Sequence, residues 1–400
     1  MSDCASADLF VPVDGKADRI VSGRFLVVTL ATFAYFLALG TLLPTLPTYV
    51  EGELGGGGLA VGVVVGSFAV SAAVVRPWAG QLGDRYGRRV LLSGGALLVA
   101  VSTFAYALVD SIAAFVALRL VTGLGEAAVF VGAATAIQDM APSHRRGEAA
   151  SYFSVALFSG LALGPALGER LADTSYDRVW VVAGAAALLA AALGLGTPVG
   201  ASGTPAGPRR LLHPAALGPG LVLMLGLLPF TGFSAFLAVY GPDIGLADTG
   251  AVFFAYSGMI LLIRVFGAKL PDRLGWRRAS TVALLSVSLG ALLMAAWASV
   301  AAVWLATVAL GIGMSLIYPA LFTAALEDVP DHERGQAVGT FSLFFDLSQG
   351  VGAPLLGLVV ALSDERGAFA VAALIGLSGF WAQHRLHTAR RTAALEPAVA

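Results

Sequence analysis

From Ala279 to Leu326 the chain runs for 48 residues without an Asp, Glu, Lys or Arg. A helix crossing a hydrocarbon core of about 30 Å needs roughly 20 residues, so this stretch reads as two membrane-crossing helices joined by a tight hairpin near Ser299. Val90 to Val109 and Pro214 to Gly241 are equally free of the four charged types and long enough for one crossing each. Charged residues make up 12% of the whole chain and mean hydropathy is +0.83, against about 25% charged in a soluble domain. There are too few polar groups to cover a water-facing globule, and the expected class is an all-α membrane protein.

The same reasoning gives twelve spans, near 24–46, 60–79, 90–109, 112–136, 150–169, 179–197, 215–241, 250–268, 279–297, 300–323, 337–361 and 367–384. Residues 1–23 form an N-terminal tail without the basic, apolar and small-residue succession of a cleaved leader, and 385–400 form a C-terminal tail. Lys and Arg fall unevenly: eighteen lie on the side of the two tails, and only Arg170, Arg178 and Arg366 on the other. The positive-inside rule then places both termini in the cytoplasm. The single cysteine, Cys4, has no partner in the chain for a disulfide.

Against this apolar background, GQLGDRYGRR at 80–89 is a dense polar knot, and it recurs. Asp84-Arg85 reappears 188 residues later as Asp272-Arg273; the same offset relates Arg76 to Arg264, Gly87 to Gly275 and Gly123-x-Gly125 to Gly311-x-Gly313. Pro142-x-His144-x-Arg146-Gly147 likewise returns as Pro330-x-His332-x-Arg334-Gly335. Identities at one spacing mark an internal duplication. Two six-helix halves, 24–197 and 215–384, flank a Pro- and Gly-rich linker at 198–214. Both halves start on the same side and so run parallel, an architecture of secondary transporters.

GQLGDRYGRR closely resembles the G-x-x-x-D-R-x-G-R-R signature of the major facilitator superfamily, with Gly80, Gly83, Asp84, Arg85, Gly87, Arg88 and Arg89 in place. The second copy, AKLPDRLGWRR, departs from it at Ala268, Pro271 and Trp276. RLVTGLGEAA sets Arg119 and Gly123 as in the R-x-x-x-G motif of the proton-coupled drug-efflux branch. GLALGPALG at 160–168 resembles that branch's antiporter motif, through Gly160, Gly164, Pro165 and Gly168, with Glu169 where a second glycine is usual. The resemblance implies that Asp84 meets the start of the eleventh span, that Arg88 pairs with Asp139, and that such contacts close the cytoplasmic side in one state. It also implies a cavity lined by spans one, four, seven and ten, with Tyr35, Glu126, Phe230, Phe233 and Tyr318 as substrate contacts; ordinary packing is the alternative for each aromatic residue.

Glycines four apart at 160, 164 and 168 share one helical face and admit close approach of a neighbouring helix. Ionisable groups inside a bilayer are costly and point to function; there are five, Arg76, Arg119, Glu126, Arg264 and Asp346. Arg76 and Arg264 lie toward the cytoplasmic ends of their expected spans, where snorkelling or gate pairing accounts for them. Glu126, seven residues after Arg119 and so on the same face, and Asp346, within FSLFFDLSQG, are the proton-carrying candidates. Desolvation favours a neutral carboxyl and a nearby cation a charged one, and that balance changes as a site opens to either side. A permanently paired structural role is the alternative for both.

No phosphate-cradling G-x-x-x-x-G-K-[ST] is present, and neither Lys16 nor Lys269 is followed by Ser or Thr, so no ATPase is expected. The five histidines fall in the expected cytoplasmic loops or tail, and no cofactor, metal or catalytic set is expected. A net charge of -1 gives no reason to expect a nucleic-acid partner. The expected function is a secondary active transporter of the inner membrane, not an enzyme, acting as a monomer on a small-molecule substrate and protons. Proton-coupled antiport exporting small amphiphilic compounds leads; a symporter or facilitator for a sugar or organic anion is the alternative.

Overall fold

Several helices begin where a short polar side chain can cap them. Ser22, Ser111 and Ser299 each accept a bond from the backbone N–H three residues on, and Asp248 does the same for Ala251. The computed structural model describes residues 22–142, 145–198, 212–267, 270–327, 329–330 and 333–395. Its first half holds α1 (Gly23–Gly52), α2 (Gly58–Tyr86), α3 (Arg88–Ala105), α4 (Ile112–Asp139), α5 (Arg146–Ala172) and α6 (Tyr176–Gly194). The second holds α7 (Pro214–Asp243), α8 (Thr249–Phe266), α9 (Leu270–Ala296), α10 (Val300–Leu326), α11 (Arg334–Gly350), α12 (Gly352–Leu362) and α13 (Glu365–Leu395).

Eleven helical segments among the described residues are long and apolar enough to cross a membrane. The last expected span falls in α13, whose later half carries Gln383, His384 and Arg385 and so shortens the apolar run. Two elements differ from the expected uniform rods. α2 continues well past the apolar stretch, to Tyr86, because Gln81 to Tyr86 can stay helical at the water interface. The eleventh span is broken at Val351 into α11 and α12, with Pro354 in the first turn after the break; a proline that early loses no intrahelical donor.

The duplication is visible in the backbone. Gly87, between α2 and α3, has φ 91 and ψ 154, and Gly275, within α9, has φ 72 and ψ 153. A side chain at either would be strained there, so the two copies of the polar knot turn in the same way. The end of the bundle that holds Gly87 and Gly275 is called the loop end below, and the other the far end.

Within the first half α1 packs on α5 and α6, and α3 on α4 and α6; within the second α7 packs on α13 and α9 on α10. The halves meet where α2 packs on α11 and α12, where α5 packs on α8, and where α1 packs on α7. α4 makes no comparable contact with α10 or α11, nor α5 with α10, among the described residues. Leu97, Val101, Leu188, Leu189, Leu285, Leu289 and Trp381 are among the large apolar side chains on the outside, as a lipid solvent requires.

Candidate functional site

Three helices bring one cation and two carboxylates together in the interior. Arg76 of α2 donates from Nη2 to Glu126 of α4, at 3.0 Å to Oε2 and 3.2 Å to Oε1. It reaches Asp346 of α11 through Nη2 to Oδ1 at 2.9 Å and Nε to Oδ2 at 2.6 Å. The Phe130 ring lies 4.7 Å from the same guanidinium. Arg76, Glu126 and Asp346 are only 8%, 6% and 4% exposed. Each sits ten to thirteen residues from the loop end of its helix, about 15–20 Å in along the axis.

Arg76 therefore neither snorkels nor sits at a helix end: α2 runs ten residues beyond it, which puts it at the depth of the two carboxylates. The link is also a link between halves, since Arg76 and Glu126 belong to the first and Asp346 to the second. Tyr35 of α1 and Tyr318 of α10 are further ionisable groups within electrostatic reach of this cluster. Tyr35 is wholly buried and its hydroxyl has no hydrogen-bond partner among the described residues.

Arg119 does not meet Glu126 despite sharing its helix face. Its Nε donates to Val64 O at 3.1 Å and its Nη2 to Val65 O at 3.2 Å, while the guanidinium lies 4.4 Å from the Phe68 ring. It binds α4 to α2 through backbone carbonyls. Phe233 is fully buried among Phe253 and Tyr256, whereas Phe230, stacked on Tyr256 at 5.3 Å, and Tyr318 are partly exposed.

At the loop end Arg88 Nε lies 3.2 Å from Asp139 Oδ2, the contact the family resemblance implies, and Arg89 Nε donates to Thr197 O at 2.8 Å. Arg85 and Arg273 are exposed, while a Cβ on Gly83 would fall 2.7 Å from Arg88 Nη1. The side chains of Asp84 and Asp272, and the surroundings of Gly80, lie outside the described residues.

In the glycine-rich fifth span, a Cβ on Gly160 would come within 2.6 Å of Leu37 N, and one on Gly164 within 2.6 Å of Gly40 C; one on Gly168 would overlap Thr41 O. α1 and α5 touch backbone to backbone along this stripe, and the helix continues through Pro165. Glu169 does not loosen that packing. It crosses to the second half, where its carboxylate accepts from Thr249 N and Thr249 Oγ1, both at 2.9 Å, and from Gly250 N at 2.5 Å. Nothing in the motif forecast this contact with the start of α8.

Two bundles related by an internal repeat, meeting through α2 with α11 and α12, α5 with α8 and α1 with α7 and holding buried charges between them, have the architecture of a membrane transporter. The sequence matches the Major Facilitator Superfamily model over residues 28–353 and 222–397, and the chain belongs to that family. An uncharacterised MFS-type transporter of Salmonella typhimurium is 30% identical over 90% of this chain and 95% of its own length. Multidrug resistance protein 1 of Bacillus subtilis is 28% identical over 81% of this chain and 86% of its own. Among solved structures, a mutant of the nucleoside transporter NupG superposes with a TM-score of 0.74 at 14% identity, covering 91% of this chain and 99% of that one.

Proposed function

We propose that the protein is a proton-coupled antiporter that exports small amphiphilic organic compounds by alternating access. The observation that carries this reading is the Arg76, Glu126 and Asp346 cluster. A guanidinium stays charged, so one cation faces two carboxylates, and a single proton taken up by the carboxylate pair makes the cluster neutral. Since uncompensated charge is costly in the interior, proton occupancy and the contact between the halves are coupled through the same three side chains. The proton belongs to the pair rather than to either residue.

The glycine stripe of α5 supports a tight first half, and likeness to a multidrug resistance protein supports an organic compound as cargo. The asymmetry of basic residues supports both termini, and thus the loop end, facing the cytoplasm. On that orientation the contacts of α1 with α7 and of α5 with α8 close the outer side, while α4 stands apart from α10 and α11 on the inner. The halves, taken as 24–197 and 215–384, then rock about the buried cluster as a monomer. One proton crossing 100 mV releases about 2.3 kcal/mol, and at about 1.4 kcal/mol per factor of ten it sustains on the order of a fortyfold gradient of a neutral compound.

The test is proton movement in proteoliposomes with an inside-acid gradient, challenged with lipophilic cations, organic acids, neutral antibiotics and sugars. Compound-triggered proton release that disappears in Glu126→Gln and in Asp346→Asn is the expected result. Proton release that survives both substitutions removes the carboxylate pair from the mechanism. Uptake of a labelled sugar or anion together with protons turns the reading to symport.

A further inference from the structure

The repeat that relates Arg76 to Arg264 also relates Glu126 to Met314 and Asp346 to Phe158. The two halves thus place an arginine at equivalent positions of α2 and α8, but only one arginine has its carboxylates. Arg264 Nη1 donates to Ser154 Oγ of α5 at 3.2 Å, and its guanidinium lies over the Phe158 ring at 4.6 Å. Its Nε is buried with no hydrogen-bond partner, and no carboxylate among the described residues pairs with it. Ser154 is itself the repeat mate of Ser342, which meets the Tyr318 hydroxyl at 3.4 Å.

A guanidinium whose Nε is shut off from solvent is ordinarily paired, and arginine cannot escape the penalty by losing its proton. No carboxylate among the described residues supplies that pairing, and the partly exposed Arg264 leaves room for one from outside the chain. Ser154, Phe158, Arg264, Met314 and Tyr318 are all partly exposed, on three helices that converge as α8 packs on α5 and α10. Tyr318 of α10, the helix on which α8 packs, meets Ser342 of α11 at 3.4 Å, one helical turn before Asp346, which ties this site to the proton-carrying cluster. A charged fork over an aromatic ring suits an acid group on an apolar body.

We propose that Arg264 binds the headgroup of the transported compound, and that the compound is an amphiphilic carboxylate. The carboxylate takes the place that Asp346 holds at Arg76, accepting from Nε and the free donors of Arg264, while Phe158 and Tyr318 flank the apolar body. This names the substrate class of the efflux reading above and rests on it for the identity of the cavity.

The experiment is equilibrium binding to the full chain in phosphatidylcholine nanodiscs, without a proton gradient, using aromatic carboxylic acids of increasing size with their matched primary amides and amines. Charge-assisted bonds exceed neutral ones by enough that wild type is expected to favour the acids about tenfold or more over the amides. Arg264→Gln is expected to erase that preference and Arg264→Lys to keep part of it. Phe158→Asp, which leaves Arg264 in place but supplies the carboxylate found in the other half, is expected to erase it as well. Equal affinity for acid and amide, no binding by any acid of the series, or a preference that persists in Arg264→Gln overturns the proposal. Because binding is read without a gradient, a failure of proton coupling would count against antiport alone.

Discussion

Arg76 is held by two carboxylates at a depth where water is scarce, so what each side chain contributes depends on the other two. Removing the cation alone leaves two acids facing each other; breaking a buried pair in this way costs about 3–5 kcal/mol in soluble proteins. Replacing all three by neutral groups of similar shape removes the penalty along with the attraction. Arg76→Ala is therefore expected to lower the unfolding midpoint of the purified protein more than the triple variant Arg76→Met, Glu126→Gln, Asp346→Asn. A triple variant less stable than Arg76→Ala would show that the three do not act as one charge unit. The carboxylates themselves are legible in the sequence, because an acid in an apolar run stands out. The depth of Arg76 is not: the apolar stretch stops near residue 79, and hydropathy does not register that α2 continues helically for another seven residues. The asymmetry of the repeat, with Asp346 matched to Phe158, is present in the sequence as a signal for which arginine carries the acids.

At the scale of elements, the motif forecasts close packing along α5 but not what the residue after it does. Glu169 sits one residue beyond Gly168 and caps the N-terminus of α8 across the interface, where backbone N–H groups and the helix dipole favour an anion. Thr45, Glu169 and Thr249 line the same pocket of about 270 Å³ at the far end. Even one hydrogen bond to a charged group contributes about 1.5–3 kcal/mol, so losing this latch shifts an opening equilibrium by about tenfold or more. In a Cys4→Ser background carrying Thr45→Cys, Glu169→Ala is expected to speed labelling by a membrane-impermeant maleimide by about that factor. An unchanged labelling rate would mean that the contact does not hold the far end shut. The glycine stripe makes a simpler claim. Gly164→Val must push α1 from α5, since even its Cβ would lie 2.6 Å from Gly40 C, and the unfolding midpoint is expected to fall.

For the whole molecule, the pseudo-two-fold relation between the halves is broken at Arg76, whose repeat mate Arg264 has no carboxylate partner among the described residues, and the proposed cycle is built on that difference. Span count and repeat are legible because periodic apolar runs and repeated turns report on the solvent and on the backbone. Which helices stand apart is not, because hydropathy and repeat spacing report on spans and turns and not on which helices of the two halves touch. In this arrangement the bonds from Arg76 to Asp346 tie the halves together while α4 stays clear of α10 and α11. Neutralising Asp346 removes that ion pair from this state, so the equilibrium must move away from it. In a Cys4→Ser background, spin labels on Gln138 of α4 and Thr323 of α10, both exposed near the loop end, are expected to show a larger short-distance population in Asp346→Asn than in wild type. Acidification of wild type is expected to move the distribution in the same direction, because a proton on the carboxylate pair weakens the same link. Distributions that ignore both the substitution and pH would separate the charge cluster from the rocking of the halves.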